Sequence, residues 1–269
     1  MDEARIVDSA TQLDHSVRGA VCVCGSHGGV YPAWLAAKAG VRAVILNDAG
    51  IGRHSAGVAG IAWIGGLGIA ACAIDHRSAR IADGADMLAN GVVSAVNDVA
   101  ARHGCLPGHA CARAVECLLD HEEADEAAVE VPGIGETRAR IANTGHREVW
   151  AIDSVSLTRA EDRRMIVVTG SHGALLGAKP DHILETDVFA AFFNDAGGGK
   201  DEAGFSRLPS LDERAIAGAT VSCQTARIGD GRSSYETGVI SRINETARRL
   251  ELREGMSVRQ AVARLIGLG

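Results

Sequence analysis

Aromatic residues are scarce: three Trp, two Tyr and four Phe among 269 residues, or 3%. A core with so few rings must be filled by Ala, Val, Ile and Leu, and small side chains call for helices packed closely on sheet. Positive charge is also short. Lys and Arg number 27 against 34 Asp and Glu, a formal charge of −7. That argues against a surface tracking nucleic-acid phosphates and for a small-molecule or protein partner. No run approaches the roughly 18 uninterrupted apolar residues of a membrane span, and no basic-then-apolar leader opens the sequence. The expectation is a cytoplasmic protein with no membrane partner.

The seven cysteines (22, 24, 72, 105, 111, 117 and 223) are an odd set, and several sit in apolar runs such as AVCVCG and IAACAI. They read as buried small hydrophobes rather than a disulfide framework. Cys22 and Cys24 have one residue between them, not the two of a redox or zinc-type pair. A GxGxxG after a first strand and a GxxxxGK[ST] are both missing, which disfavours a dinucleotide or P-loop enzyme.

What the sequence does contain is itself, twice. Asp8-Ser9 returns as Asp153-Ser154, and Gly25-Ser26-His27-Gly28 returns as Gly170-Ser171-His172-Gly173. After a two-residue insertion the register holds again: Asn47-Asp48-Ala49-Gly50 matches Asn194-Asp195-Ala196-Gly197. Ala79-Arg80-Ile81 with Asp83-Gly84 matches Ala226-Arg227-Ile228 with Asp230-Gly231. Gly91, Val92, Ser94 and Asn97 match Gly238, Val239, Ser241 and Asn244. Residues 1–120 form a first α/β repeat, 121–148 an acidic connector and 149–269 a second repeat.

Each copy has the same hydrophobic pattern. An apolar strand (20–24; 165–169) runs into Ser-His-Gly, and a helix follows (30–40; 174–186). A second strand (41–46; 187–193) ends at Asn-Asp-Ala-Gly, and another helix follows. A third (69–74; 215–221) leads to Ala-Arg-Ile. A long helix (85–103; 232–250) and a shorter one close the copy. The Gly, Ser and Asn that recur at spacings of three would share one stripe of that long helix, the Gly marking close packing. Continuously apolar strands alternating with helices imply a mainly parallel sheet covered on both faces. The fold class expected is therefore α/β: an internally duplicated three-layer αβα unit with two pseudo-symmetric halves. In the connector, HEEADEAAVE reads as a surface segment with a short helix, the alternative being an extra strand pair around Val129–Ile141.

Ligands of parallel α/β sheets bind outside the carboxyl ends of the strands, and all the repeated polar clusters fall there. Ser26, His27 and Asp48, with Ser171, His172 and Asp195, are the candidate catalytic residues. His moves protons near neutral pH, Asp orients it or acts as a base, and Ser fits a hydrogen-bonding role better than a nucleophilic one. Arg80 and Arg227 offer forks for a carboxylate, their competing reading being ion pairs with Asp83 and Asp230. Asn47 and Asn194, with the backbone of Gly28 and Gly173, complete the candidate substrate-binding set. His54, Asp75, His76 and Arg77 occur in the first copy alone. No organic cofactor is expected. A divalent metal held by some of these residues with His27 and Asp48 stays open, without HExxH or CxxC spacing to support it.

A strand ending in Ser-His-Gly, then a strand ending in a short polar loop, resembles the layout of caspase-like cysteine peptidases. Where that family places its Cys nucleophile this chain has Asn-Asp-Ala-Gly, so neither peptidase activity nor any catalytic role carries over. The function expected is a hydrolase of a small carboxylate-bearing amide, cyclic amide or ester. A cofactor-independent lyase or isomerase is one alternative, and a non-catalytic binding or assembly protein another. The partner expected is a small anionic substrate, with a homo-oligomer compatible.

Overall fold

The computed structural model describes residues 4–120, 130–144, 146–178 and 184–267. The chain divides into two compact units. The first takes in residues 1–51, 55–135 and 199–201, and the second 52–54, 136–198 and 202–269.

The first unit is built on one five-stranded sheet in the order β1 (Arg5–Val7), β2 (Val21–His27), β3 (Ala43–Asn47), β4 (Ala70–Ile74), β5 (Val93–Val96). The first four strands run parallel and β5 is antiparallel to β4. Strand side chains alternate between faces, and both faces are buried. Val21, Val23, Ile45, Cys72 and Ile74 pack on one side with Met87 of α3 (Gly84–Asn90), Ala100 of α4 (Asp98–Arg102) and Ala114 and Leu118 of α5 (Cys111–Leu119). Cys22, Cys24, Val44, Leu46 and Ala73 pack on the other with Ala33 and Ala36 of α1 (Val30–Ala39) and Ile61 and Ile64 of α2 (Ala59–Gly65). The three layers are thus made with Ala, Val, Ile, Leu and Cys. All seven cysteines are buried free thiols.

The second unit carries a six-stranded sheet. Its β7 (Glu148–Ile152), β8 (Ile166–His172), β9 (Ala190–Asn194), β10 (Ala217–Val221) and β11 (Ile240–Ile243) repeat the first unit's order, and β6 (Arg138–Asn143) is added antiparallel beside β7. The helices α6 (Arg207–Glu213), α7 (Gly231–Thr237), α8 (Glu245–Arg249) and α9 (Val258–Ile266) flank it. The two sheets, mostly parallel and matched strand for strand apart from β6, are consistent with an internal duplication. Strand β6 lies inside the segment read as a connector: in place of a strand pair around Val129–Ile141, one strand forms at Arg138–Asn143 and pairs with β7. Residues 121–129, where the short helix was expected, lie outside the described residues.

Three further expectations need correction. The long closing helix does not form in either copy: α3, β5 and α4 replace it in the first, and α7, β11 and α8 in the second. The reason lies in the residues between. Gly91 ends α3 in extended backbone, β-branched Val93 and Val96 favour a strand, and Asn97 caps α4 by accepting from the Ala100 N–H. Gly91, Ser94 and Asn97 therefore share no helix stripe. Gly91 does mark a close approach, because a Cβ there would lie 2.4 Å from the Met87 carbonyl and 2.8 Å from the Ile74 side chain. The helix expected over 174–186 is, in its described part, one short turn at Leu176–Ala178 with Gly177 left-handed (φ 51°); residues 179–183 lie outside the described set. Finally, Ser26-His27 and Ser171-His172 are the last residues of β2 and β8, not loop residues after them. Among the described residues no helix is long and apolar enough to cross a membrane.

Candidate functional site

The carboxyl ends of β2, β3 and β4 set the first unit's rim. His27 is in register with Asn47, and Asn47 with Ile74, so the three chain ends lie side by side. His27 is buried, and its Nδ1 accepts from the Gly29 N–H at 3.1 Å. In the neutral ring that leaves the proton on Nε2. Burial disfavours the imidazolium and pushes the pKa down to about 4. Gly29 is required for this packing: a Cβ would stand 2.6 Å from His27 Nδ1.

Asp48, with a side chain only 3% exposed, accepts through Oδ1 from the N–H groups of Gly50 and His76, both at 3.0 Å. The same oxygen lies 2.8 Å from His76 Nδ1. Asp75 Oδ1 approaches that nitrogen at 3.3 Å. On its outer side Asp75 is clasped by Arg77, which holds its carboxyl below the ordinary value despite partial burial. Asp48, Asp75 and His76 thus bring one ligand atom each within 4.8 Å of one another. His54, also without a histidine counterpart in the second copy, is exposed and outside this group.

Most of the remaining expected site residues are engaged in holding the fold. Ser26 Oγ accepts from the Ala10 N–H at 2.9 Å, and Asn47 Oδ1 from the Ala49 N–H at 2.9 Å. The Asn47 bond braces Ala49 at φ 48°, a left-handed conformation costly for a residue with a Cβ. The Gly28 N–H donates to the Asn47 carbonyl, so it is spent within the sheet. Arg80 is shared among Asp83, Asp86 and Asp201 at 3.1, 3.4 and 2.9 Å, which is the ion-pair alternative in an enlarged form.

The second unit keeps this scaffold and changes its tip. His172 is in register with Asn194, and its Nδ1 accepts from the Ala174 N–H at 3.3 Å. With Ala174 where the first copy has Gly29, Ser171 and His172 are less buried than Ser26 and His27. Ser171 Oγ accepts from Val155 N–H, and Asn194 Oδ1 from Ala196 N–H. The Gly173 N–H donates to the Asn194 carbonyl. Arg227 pairs with Asp230. Asp195 Oδ1 accepts from Gly197 and Cys223 N–H at 3.0 and 2.9 Å. Cys223 therefore stands where His76 stands in the first unit. Burial and the Asp195 carboxylate push its thiol up to about 12, so it carries no thiolate near neutrality.

His76 and Asp75 stood outside the candidate catalytic and substrate-binding sets and entered only as possible metal ligands. The signal that finds them is difference rather than repetition: Asp75-His76-Arg77 against Ser222-Cys223-Gln224. No family model, curated protein sequence or solved structure matches this chain.

Proposed function

We propose that the first unit is a hydrolase of a small amide, cyclic amide or ester, serving cytoplasmic small-molecule metabolism without an organic cofactor. The observation that carries this reading is the placement, at the ends of three adjacent parallel strands, of a buried imidazole and of a second imidazole held on a buried carboxylate: His27 ends β2 in register with Asn47 of β3, and His76 lies on Asp48 at 2.8 Å. A neutral His27 offers its Nε2–H to a carbonyl oxygen gaining negative charge. The Asp48, Asp75 and His76 group holds the attacking water. The acid–base inventory of the second rim is poorer by one His and one Asp, which supports the first unit as the seat of the reaction. Because Arg80 already serves three carboxylates, the reading leans on no arginine anchor for an anionic substrate.

The test is a panel of small amides, cyclic amides and esters, each with and without a carboxylate, followed by proton or ammonia release. Turnover by the full chain is expected, with His27→Ala lowering kcat by about 100-fold or more while the circular dichroism spectrum is kept. An inactive chain across the panel, or unchanged kcat in His27→Ala, defeats the reading.

One observation favours a second reading, a non-catalytic binding or assembly protein. The repeated Ser26, Asn47 and Arg80 all make bonds that hold the rim together. On that reading alanine variants at these positions lose stability and no turnover is found for any of them to lose.

A further inference from the structure

We infer that Asp48, Asp75 and His76 form a site for one divalent first-row cation of the Mn2+ or Zn2+ type, held in the first unit alone. The ligands come from the residue after β3 and the first two residues after β4, so the sheet sets their spacing. His76 Nδ1 lies 2.8 Å from Asp48 Oδ1 and 3.3 Å from Asp75 Oδ1. Such cations take nitrogen and oxygen donors at about 2.0–2.2 Å, so two donors subtending roughly a right angle stand about 3 Å apart. The cluster's short edges are those of one face of a coordination polyhedron. One imidazole with two carboxylates is a hard-to-borderline donor set, suited to Mn2+ or Zn2+ and poorly suited to soft cations.

A separate observation concerns Asp48 itself. Its side chain is buried, yet it makes no ion pair with Lys or Arg among the described residues, and every bond it accepts falls on Oδ1. Oδ2 takes none among the described residues. Beside it Asp75 brings a second carboxylate whose arginine partner, Arg77, is 77% exposed and bonds from the outside. Two backbone N–H groups and His76 engage the carboxylate through Oδ1 alone, which leaves Oδ2 available to a cation that Asp75 and His76 would share. His76 can accommodate one by shifting its proton from Nδ1 to Nε2, which frees Nδ1 to ligate and leaves the ring neutral.

The second unit supplies the internal contrast. Asp195 keeps the same pair of N–H donors, but Ser222 and Cys223 replace the other two ligands. One equivalent per chain is therefore expected. The inference deepens the hydrolytic reading of this rim, since three protein ligands leave positions for water, and a bound cation lowers that water's pKa.

The experiment is calorimetric titration of the chelator-treated full chain with Mn2+ and, separately, Zn2+, with the Mn2+ paramagnetic resonance signal as a second readout. One equivalent is expected. Asp75→Asn, at a partly exposed position where folding is not at risk, and His76→Ala are each expected to weaken binding by about tenfold or more, while Cys223→Ser leaves it unchanged. Absence of a one-equivalent site for both ions, or binding unaltered in both variants, overturns the inference. A chain that hydrolyses the panel equally well with and without chelator overturns the metal's part in the reaction and leaves the hydrolase. A chain that binds the ion at these residues yet is inactive across the panel overturns the hydrolase and leaves the site.

Discussion

At the scale of single residues, His27 has the most direct consequence for measurement. Its folded pKa of about 4 lies below the roughly 6.5 of an unfolded chain, so the folded state binds this proton less readily. The stability tied to the neutral ring is present above about pH 6.5 and is lost as the pH falls towards 4. At about 1.4 kcal/mol per unit, the loss is on the order of 3 kcal/mol. Denaturation at a series of pH values should show this slope, and His27→Gln should flatten it. Proton NMR should find one histidine titrating near 4. Gly29→Ala, which places a Cβ against the ring, should move that titration upwards by pushing the imidazole towards solvent. If the same histidine titrates near 6.5 in the unaltered chain, burial is not governing it. The Ser-His pair was legible because it is repeated. The use made of Ser26 was not, since its partner Ala10 is fixed by packing between distant segments. Difference between the copies located His76, but its bond to Asp48 depends on a loop path that spacing alone does not encode.

Among the elements, the α3, β5, α4 passage depends on one side chain. Asn97 caps α4 through the Ala100 N–H, accepts from the Ala71 N–H, and donates to the carbonyls of Ile61 and Ile69. Asn244 does the same for α8 and β10 through Ala247, Gly218 and Ile216. Removing either strands buried backbone groups in addition to a helix cap, so Asn97→Ala should cost roughly 2–4 kcal/mol, read from the urea midpoint. Asn97→Asp keeps the acceptor and loses the donors, and should fall between. Equal midpoints for the wild type and Asn97→Ala would show the network to be dispensable. The central strands were readable because each is an uninterrupted apolar run. Strands β1, β5, β7 and β11 were missed, and β6 entered only as an alternative, because they are short, mixed in polarity or lie towards the sheet edges, where neighbours rather than residue type decide. Periodicity across 85–103 suggested a continuous helix; the Val residues and the capping Asn inside it were the contrary signs.

For the molecule as a whole, the duplication offers an experiment on itself. The second unit retains Asp195 with its two N–H donors and lacks the other two ligand side chains. Ser222→Asp together with Cys223→His should therefore build a second cluster, raising Mn2+ stoichiometry from one equivalent to two by calorimetry. Retention of one equivalent in a folded double variant would mean that the His76 loop contributes more than its side chains. The copies share their turns, caps and register, along with His27 and Asp48, and they differ at Asp75 and His76, the two residues that complete the proposed cation site. Repetition therefore revealed the scaffold and His27, and the rest of the proposed site emerged only where repetition stopped.

The lengths of the outer strands bear on how the chain behaves when crowded. Strands β1, β5 and β11 have three or four residues each, so they expose few backbone groups on which another chain could extend a sheet. The remaining edge, β6, is longer, and it carries the exposed Arg140, paired with Glu148. Short or charged borders discourage edge-to-edge association. At high concentration, aggregation by strand addition should begin at β6 if it begins at all, and neutralising Arg140 would be the change that invites it.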